Sequence, residues 1–292
     1  MSEPVPTPQR FALTLAYDGG PFKGWARQPG LPSVQEAVES ALAVVTRQEL
    51  RVVVAGRTDT GVHASGQVLH VDLDAAAVAK VGVRDGGEPV ETTLVRRLNA
   101  VLARSTGRAV LIHGARRVPP GFDARFSALW RSYTYTIADS AERWDPLRRG
   151  DTLFHPRPLD VGAMRSELRL LLGLNDFLSF CKPREEATTV RELQAGDVVR
   201  GDDGLVRVHL RADAFCHHMV RTIVGALVAV GEGRQDPGWV GQRLAERTRD
   251  AKTVMVPGHA LVLTGVGYPR DDAAGARADA TRAKRPDILP GD

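Results

Sequence analysis

A loop bracketed by two glycines, set between two predicted strands, restricts the fold of this chain more than any other feature. Residues 51–55 form a β-branched run typical of a buried strand, and residues 67–73 predict a second strand. The sequence AGRTDTGVHA lies between them, at residues 55–64. Because Gly56 and Gly61 allow a sharp turn and a close approach to the backbone, we expect a tight loop here.

This loop brings a carboxylate and a guanidinium together, since Asp59 follows Arg57 by two residues. A neighbouring positive charge favours the ionised form of a carboxyl group at neutral pH. An ionised carboxylate that is held in place can serve as a nucleophile. In the alternative interpretation, Asp59 only accepts hydrogen bonds from local amides in a surface turn. The loop alone leaves both interpretations open.

The first half of the chain predicts mixed α+β structure. Residues 11–17 alternate between two faces, which indicates a strand. After a glycine-rich loop with two aromatic residues, Ser33 and Glu36 have the spacing of a capping box that opens a helix. A further helix is expected over residues 91–102, and a strand over residues 110–116.

The second half repeats this pattern. Its predicted elements are a strand at 131–137, a helix at 161–172, a strand at 205–211, a strongly apolar helix at 217–230 and a strand at 262–268. We therefore expect two α+β halves of similar size.

The expected organisation has four parts. They are a disordered lead at 1–9, an N-terminal half at 10–117, a C-terminal half at 118–269, and a disordered tail at 270–292 that is rich in Ala, Asp, Arg and Pro. A local insertion is predicted at 80–90.

Composition indicates a globular protein. The 292 residues suffice for one large domain or two of ordinary size, and 43% of them are hydrophobic. The longest apolar runs are shorter than a membrane span, and the first residues do not have the pattern of a signal peptide. Two cysteines, Cys181 and Cys216, are too few for a disulfide framework, which fits a reducing cytoplasm. We therefore expect a cytoplasmic protein that does not associate with membranes.

Positive charge is concentrated in residues 96–131. This segment contains eight arginines and a single acid, Asp123. Guanidinium groups donate paired hydrogen bonds to phosphate, and clustered positive charge is typical of nucleic-acid binding. The alternative is a solvated face of an arginine-rich protein. The pattern favours a nucleic acid as the partner.

Seven separated motifs between residues 11 and 269 resemble those of the tRNA pseudouridine synthase A (TruA) family. In chain order they are YDG with FKGW (17–25), VQ (34–35), GRTDTGVHA (56–64), FDARFSA with RSYTY (122–135), NDFLSF (175–180), FCHHMVR (215–221) and LVL with YP (261–269).

The resemblance implies a pseudouridine synthase fold, in which two similar α+β halves with mainly antiparallel sheets meet at a central active-site cleft. It implies an isomerase that converts uridine to pseudouridine in the anticodon stem-loop of tRNA, at positions 38 to 40. It also implies a homodimer. No dinucleotide or phosphate-loop motif is present, so we expect no nucleotide cofactor.

The resemblance also implies roles for individual residues. Asp59 would be the nucleophile, Arg221 its ion-pair partner and Tyr133 the active-site tyrosine. A phenol ring can stack on a flipped base, and its hydroxyl can take part in proton transfer. Substrate contacts are expected from Tyr133 and also from Arg57, Arg125, His217 and Leu261.

Several of these residues have a structural alternative. Arg221 could extend along its helix to reach solvent, and Tyr133 could pack in the core, as Tyr135 is expected to do. Leu261 fits simple core packing nearly as well. Neighbouring residues of a helix point about 100° apart, so we expect no metal site at His217 and its neighbour.

Two other functions compete with the isomerase. A non-catalytic RNA-binding protein would keep the basic segment but would tolerate the substitution Asp59→Asn. A hydrolase of N-glycosidic bonds would use Asp59 to activate water and would release free uracil.

Overall fold

The computed structural model describes residues 7–82, 87–183 and 188–282. The chain forms two compact units. Of the described residues, the first unit contains those up to Leu129 together with Val266–Arg282, and the second contains Trp130–Gly265. The units therefore divide after Leu129, whereas the sequence placed a boundary after residue 117. Most of the predicted lead, residues 1–6, lies outside the described residues.

Ten strands and seven helices form from the described residues. The strands are β1 (Gln9–Tyr17), β2 (Val53–Val54), β3 (His63–Leu73), β4 (Val110–Val118), β5 (Trp130–Ala138), β6 (Leu153–Phe154), β7 (Gly173–Asp176), β8 (Val190–Arg200), β9 (Val206–Ala212) and β10 (Leu261–Gly267). The helices are α1 (Val34–Thr46), α2 (Ala75–Gly82), α3 (Val90–Ser105), α4 (Val161–Arg169), α5 (Met219–Gly231), α6 (Trp239–Glu246) and α7 (Asp271–Arg282). The mixed α+β class predicted from the sequence is confirmed.

Three antiparallel strands form the sheet of the first unit, in the order β4-β1-β3. Phe11, Leu13 and Leu15 of β1 are fully buried and alternate with more exposed residues, as the sequence predicts. The short strand β2 pairs with β3. The chain must therefore turn between β2 and β3, and this turn contains Asp59.

The N-terminus of α1 is capped as the sequence predicts. Ser33 has extended backbone, and its hydroxyl accepts a hydrogen bond from the amide of Glu36 at 3.3 Å. The helix buries an apolar stripe that includes Val34, Val38 and Leu42. This stripe holds α1 against the rest of the first unit.

The second unit contains the strand order β10-β5-β9-β8-β7, and β6 runs parallel to β5. The pairs β5-β9, β8-β9 and β7-β8 are antiparallel. Strand β8 was not predicted, because its sequence, VRELQAGDVVR, mixes charged residues and a glycine with few apolar ones. Helix α4 packs against β8 and α5.

The prediction of a disordered tail is wrong for Asp271–Arg282, which form α7 within the first unit. Ala274 is fully buried, and its carbonyl accepts a hydrogen bond from the Ser127 hydroxyl at 2.7 Å. Gly275 lies against Gly121, so small side chains allow the helix to approach closely. A sequence of small and charged residues concealed this helix, whose buried face consists of alanines. Residues 283–292 lie outside the described part of the chain.

The two cysteines are paired in a disulfide, although the sequence favoured no disulfide framework. Cys181 and Cys216 are 35 residues apart in sequence, and their Cα atoms lie 5.7 Å apart. The bond joins the segment after β7 to the turn before α5.

Part of the predicted insertion at 80–90 is helical, since α2 continues to Gly82. Residues 83–86 lie outside the described residues. Among the helices that the structure describes, none is both long and apolar enough to cross a membrane.

Candidate active site

The loop between β2 and β3 is closed by its own backbone and by a buried side chain. The amide of Val62 donates to the carbonyl of Asp59 at 3.1 Å, and Gly61 has a φ of 76°, which favours glycine. The side-chain amide of Gln67 donates to the Gly56 carbonyl at 2.8 Å. The Asp59 side chain is half-buried, whereas Arg57 is exposed. The loop therefore holds a partly shielded carboxylate beside a guanidinium that solvent can reach.

The glycine-rich loop after β1 packs directly on this carboxylate loop. The amide of Trp25 donates to the Thr58 carbonyl at 3.0 Å. Gly24 has a φ of 96°, and a Cβ atom there would lie 2.9 Å from the same carbonyl oxygen. The amide of Gly19 donates to His63 Nδ1 at 3.0 Å. Two of the motifs that sequence analysis singled out separately thus form one structure.

Three buried polar side chains, those of Tyr17, Thr58 and Gln67, form a hydrogen-bond network that ties strands β1 and β3 to the carboxylate loop. The Tyr17 hydroxyl lies 2.8 Å from Thr58 Oγ1, and Gln67 Nε2 donates to the Tyr17 oxygen at 3.2 Å. Burial raises the pKa of Tyr17 to about 12, and its hydrogen bonds to Thr58 and Gln67 oppose that rise. Tyr17 is therefore neutral at physiological pH. Tyr17 belongs to one of the sequence motifs, but no local pattern predicts this network.

In the second unit, the two strand tyrosines have different surroundings. Tyr133 packs edge-on against Phe215, with ring centroids 5.1 Å apart. Tyr135 is fully buried, and its hydroxyl donates to the Pro257 carbonyl at 2.9 Å. Burial raises the pKa of Tyr135. Tyr135 is thus the core residue of the pair, and Phe215 is a neighbour of Tyr133 that sequence reasoning missed.

Arg221 lies in the first turn of α5 and is held by the backbone of another segment. Its Nε donates to the Val256 carbonyl at 2.8 Å, and the Val256 amide donates to the Arg221 carbonyl at 3.3 Å. Every other residue of α5 is buried, while Arg221 is half-buried. The backbone contact fixes where the guanidinium lies, so Arg221 does not simply extend along the helix into water.

The segment before β10 connects Arg221 with the strand that carries Tyr133. Val256 contacts Arg221, and four residues later the Ala260 carbonyl accepts from the Thr136 amide of β5 at 3.2 Å. Leu261 follows, with 4% of its surface exposed. The elements that carry Tyr133, Arg221 and Leu261 are therefore joined within the second unit.

His217 and His218 lie in the turn before α5, because the helix begins at Met219 rather than at residue 217. His218 has a φ of 72°, and the two rings stack with centroids 3.8 Å apart. Because neither histidine is helical, their side chains are not forced about 100° apart, contrary to what we expected from the sequence.

Three of the clustered arginines have acidic partners from outside the segment at 96–131. Arg96, Arg116 and Arg117 form ion pairs with Glu88, Asp271 and Glu91, respectively. Arg131 is buried, and its guanidinium donates to the Asp213 carbonyl. The count of eight arginines in the sequence therefore overstates the positive charge that these four residues offer to a nucleic acid. Arg104, Arg108 and Arg125 are exposed.

The predicted site residues fall in both units. Arg57 and Asp59 share one loop of the first unit, and Arg125 lies in another loop of that unit. The second unit contains Tyr133, His217, Arg221 and Leu261.

The family model and the relatives that match this chain are all described as tRNA pseudouridine synthases. A family model described as tRNA pseudouridine synthase matches residues 168–269. A protein of Frankia casuarinae named tRNA pseudouridine synthase A is 52% identical over 277 residues, which cover 94% of this chain and 95% of the relative. Proteins of the same name from Leifsonia xyli and Mycobacterium leprae are 48% and 42% identical, each over 94% of this chain and over 97% and 95% of the relative. Identity at this level over nearly the whole chain shows that the chain belongs to the tRNA pseudouridine synthase A family of isomerases.

Proposed function

We propose that this protein isomerises uridine to pseudouridine in the anticodon stem-loop of tRNA, at positions 38 to 40, with Asp59 as the nucleophile. The main support is the loop between β2 and β3, in which backbone hydrogen bonds hold a half-buried carboxylate beside the exposed Arg57. Relatives named tRNA pseudouridine synthase A match 94% of this chain.

The reaction explains why a held carboxylate is needed. The carbon–nitrogen glycosidic bond of uridine must break, the uracil must turn, and a new bond must form through C5, which loses its hydrogen. A stacked base cannot be reached, so the nucleotide has to be flipped into a pocket. Asp59 would supply the nucleophile that keeps the reaction intermediate attached to the enzyme.

Residues of the second unit would complete the chemistry. Arg221, whose Nε is fixed by the Val256 carbonyl, would pair with the nucleophile and keep it ionised. Tyr133 is 8% exposed and packed by Phe215, which leaves a rigid ring to stack on uracil and a hydroxyl to assist proton transfer at C5. Leu261 would form the apolar wall of the base pocket.

Exposed cations would bind the RNA backbone. Arg57 and Arg125 are exposed, and Arg57 adjoins the nucleophile, where it could contact phosphate beside the flipped nucleotide. His217, in the turn before α5, would be a further substrate contact. Arg104 and Arg108 offer positive charge along the rest of the stem-loop. We further propose a homodimer that acts on tRNA in the cytoplasm.

Tritium release from tRNA labelled at uridine C5 tests this function directly. C5 loses its hydrogen only when the new carbon–carbon bond forms. Wild type should release tritium, whereas Asp59→Ala and the isosteric Asp59→Asn should not. Asp197→Asn is the matched control, because Asp197 is an exposed carboxylate whose partner is Arg165.

Each competing function has its own signature in the same experiment. Tight tRNA binding without tritium release from wild type would leave a non-catalytic RNA-binding protein. Free uracil in the supernatant would indicate an N-glycosidic hydrolase. Full activity of Asp59→Asn, with wild-type folding by circular dichroism, would refute the assignment of the nucleophile.

A further inference from the structure

We propose that Tyr17 and Gln67 are positioning residues that set the geometry of Asp59 through Thr58, an inference that rests on the proposed function of that carboxylate. Neither side chain belongs to the carboxylate loop. Both lie in strands of the first unit, Tyr17 at the end of β1 and Gln67 within β3, the strand that follows the loop.

The hydrogen bonds of the network leave little freedom. The two protons of the Gln67 amide go to the Tyr17 oxygen at 3.2 Å and to the Gly56 carbonyl at 2.8 Å. Because the Tyr17 oxygen already accepts from Gln67, its own proton is available for Thr58 Oγ1 at 2.8 Å. Gln67 thus holds the start of the loop directly, and it orients the phenol that holds Thr58.

Thr58 is fixed on two sides, one residue before the nucleophile. Its hydroxyl meets Tyr17, and its carbonyl accepts from the Trp25 amide at 3.0 Å. The rings of Tyr17 and Trp25 also pack together, with centroids 5.9 Å apart. Two anchors on one residue define the peptide plane that leads into Asp59, so the direction of the carboxylate depends on both.

Burial makes this arrangement costly to disturb. The exposed fractions of Tyr17, Thr58 and Gln67 are 4%, 6% and 0%. Water cannot replace a lost partner in such a site, and a buried polar group without a partner is expensive. Simple core packing would have been satisfied by apolar side chains. Because three hydrogen-bonded polar side chains lie next to the carboxylate loop instead, we infer that the network serves to orient Asp59.

The test compares Tyr17→Phe with Tyr268→Phe. The Tyr268 hydroxyl also lies in the first unit and donates to a backbone carbonyl, that of Ala124, at 2.7 Å. Both variants remove one hydroxyl and keep the ring. Because Tyr17 is buried and Tyr268 is half-buried, thermal unfolding measures the stability of each variant separately. Steady-state tritium release from C5-labelled tRNA gives kcat and KM. Amide hydrogen exchange reports the order of the Trp25 and Val62 amides, which bond to the loop carbonyls.

We expect Tyr17→Phe to lower kcat roughly 10- to 100-fold with KM nearly unchanged, because a small misplacement of a reacting group has an effect of that order. Its Trp25 and Val62 amides should exchange faster. Tyr268→Phe should retain the wild-type kcat. Thr58→Ser, which keeps a hydroxyl, should be far more active than Thr58→Val. Combining Tyr17→Phe with Thr58→Val should cost little more than the larger of the two single changes, since both remove the hydrogen bond between the two hydroxyls.

Failure of this inference differs from failure of the proposed function. If Asp59→Asn is inactive while Tyr17→Phe matches Tyr268→Phe in kcat and exchange, the positioning role is refuted and the nucleophile stands. If Asp59→Asn is active, the proposed nucleophile is wrong, and the positioning role falls with it. A large rise in KM with unchanged kcat for Tyr17→Phe would also refute it, because it would indicate a binding role.

Discussion

The substitution Asp139→Asn tests how the strand that carries Tyr133 is anchored. Asp139 directly follows β5, and its side chain is completely buried. Its two oxygens accept hydrogen bonds from Arg143 and Arg200 and from the Leu159 amide, at 2.7 to 3.1 Å. Asparagine keeps the volume but replaces one acceptor oxygen with an NH₂ donor. In either orientation of the amide, donors then face a donor.

The loss of stability depends on two facts: the Asp139 carboxylate is buried, and its two arginine partners are partly exposed. Breaking a buried ion pair costs about 3–5 kcal/mol. The side chains of Arg200 and Arg143 are 29% and 38% exposed, so water can solvate them once the carboxylate is neutralised. Allowing for this, we expect Asp139→Asn to lower the free energy of unfolding by about 2–3 kcal/mol at neutral pH.

The effect should depend on pH in a defined direction. Burial alone would raise the pKa of Asp139, but the hydrogen bonds of Arg200, Leu159 and Arg143 lower it from 3.8 to about 2. A carboxyl group whose folded pKa is lowered stabilises the protein fully above its unfolded pKa. That contribution is lost as the pH falls toward 2. The difference between wild type and Asp139→Asn should therefore shrink below about pH 4.

Urea-induced unfolding, followed by circular dichroism from neutral to acidic pH, measures both quantities. Asp197→Asn is the matched control, because the Asp197 side chain is 53% exposed in its pair with Arg165. An exposed pair of this kind contributes about 1 kcal/mol or less. Equal losses in the two variants would refute the reasoning, as would an Asp139→Asn difference that does not change on acidification.

Three further changes test other parts of the first unit. Gly24→Ala should lower tritium release at least tenfold, because its Cβ would lie 2.9 Å from the Thr58 carbonyl oxygen of the carboxylate loop. Gly30→Ala is the control, since Gly30 also has a positive φ but has open space around it, and this variant should keep its activity. Similar activities of the two variants would show that the close approach at Gly24 is unimportant. Burial, followed by the charge of Arg10, lowers the pKa of His70 below 6.5. At a pH below about 6.5 the unfolded chain therefore binds more protons than the folded chain, and the melting temperature should decrease as the pH is lowered. His70→Gln should weaken this pH dependence of the melting temperature, and an unchanged dependence would contradict the assignment to His70. Ala274→Asp should lower the free energy of urea-induced unfolding by several kcal/mol, roughly the penalty for an unpaired buried charge. Ala273→Asp, at an exposed position, should change it very little. Equal effects of the two substitutions would argue against the packing of α7.

Local signals predicted the elements whose periodicity is strong. The alternation in β1 and the capping box at Ser33 were sufficient, because burial and capping there follow short-range rules. Strand β8 and helix α7 were not predicted, because neither sequence has a regular pattern of large apolar residues. Charged side chains lie at the exposed positions of β8, and small residues form the buried face of α7, so neither has a strong apolar pattern.

The family resemblance proposed the residues of the candidate site, Asp59, Tyr133 and Arg221 among them, but it did not predict how their side chains are held. No local rule indicated that Gln67 reaches the Gly56 carbonyl or that the Val256 backbone holds Arg221, because each contact joins segments distant in sequence. The same limit applies to the clustered arginines, whose acidic partners come from elsewhere in the chain.

The position of α7 has a consequence for how the protein is made. The first unit needs Val266–Arg282, which leave the ribosome only after the whole second unit has been synthesised. At about 5–20 residues per second, roughly eight to thirty seconds separate Leu129 from the end of α7. During that interval, Phe122 and its apolar neighbours lack the cover that Ala274 later provides. The nascent N-terminal unit should therefore be a substrate for chaperones until translation is nearly finished.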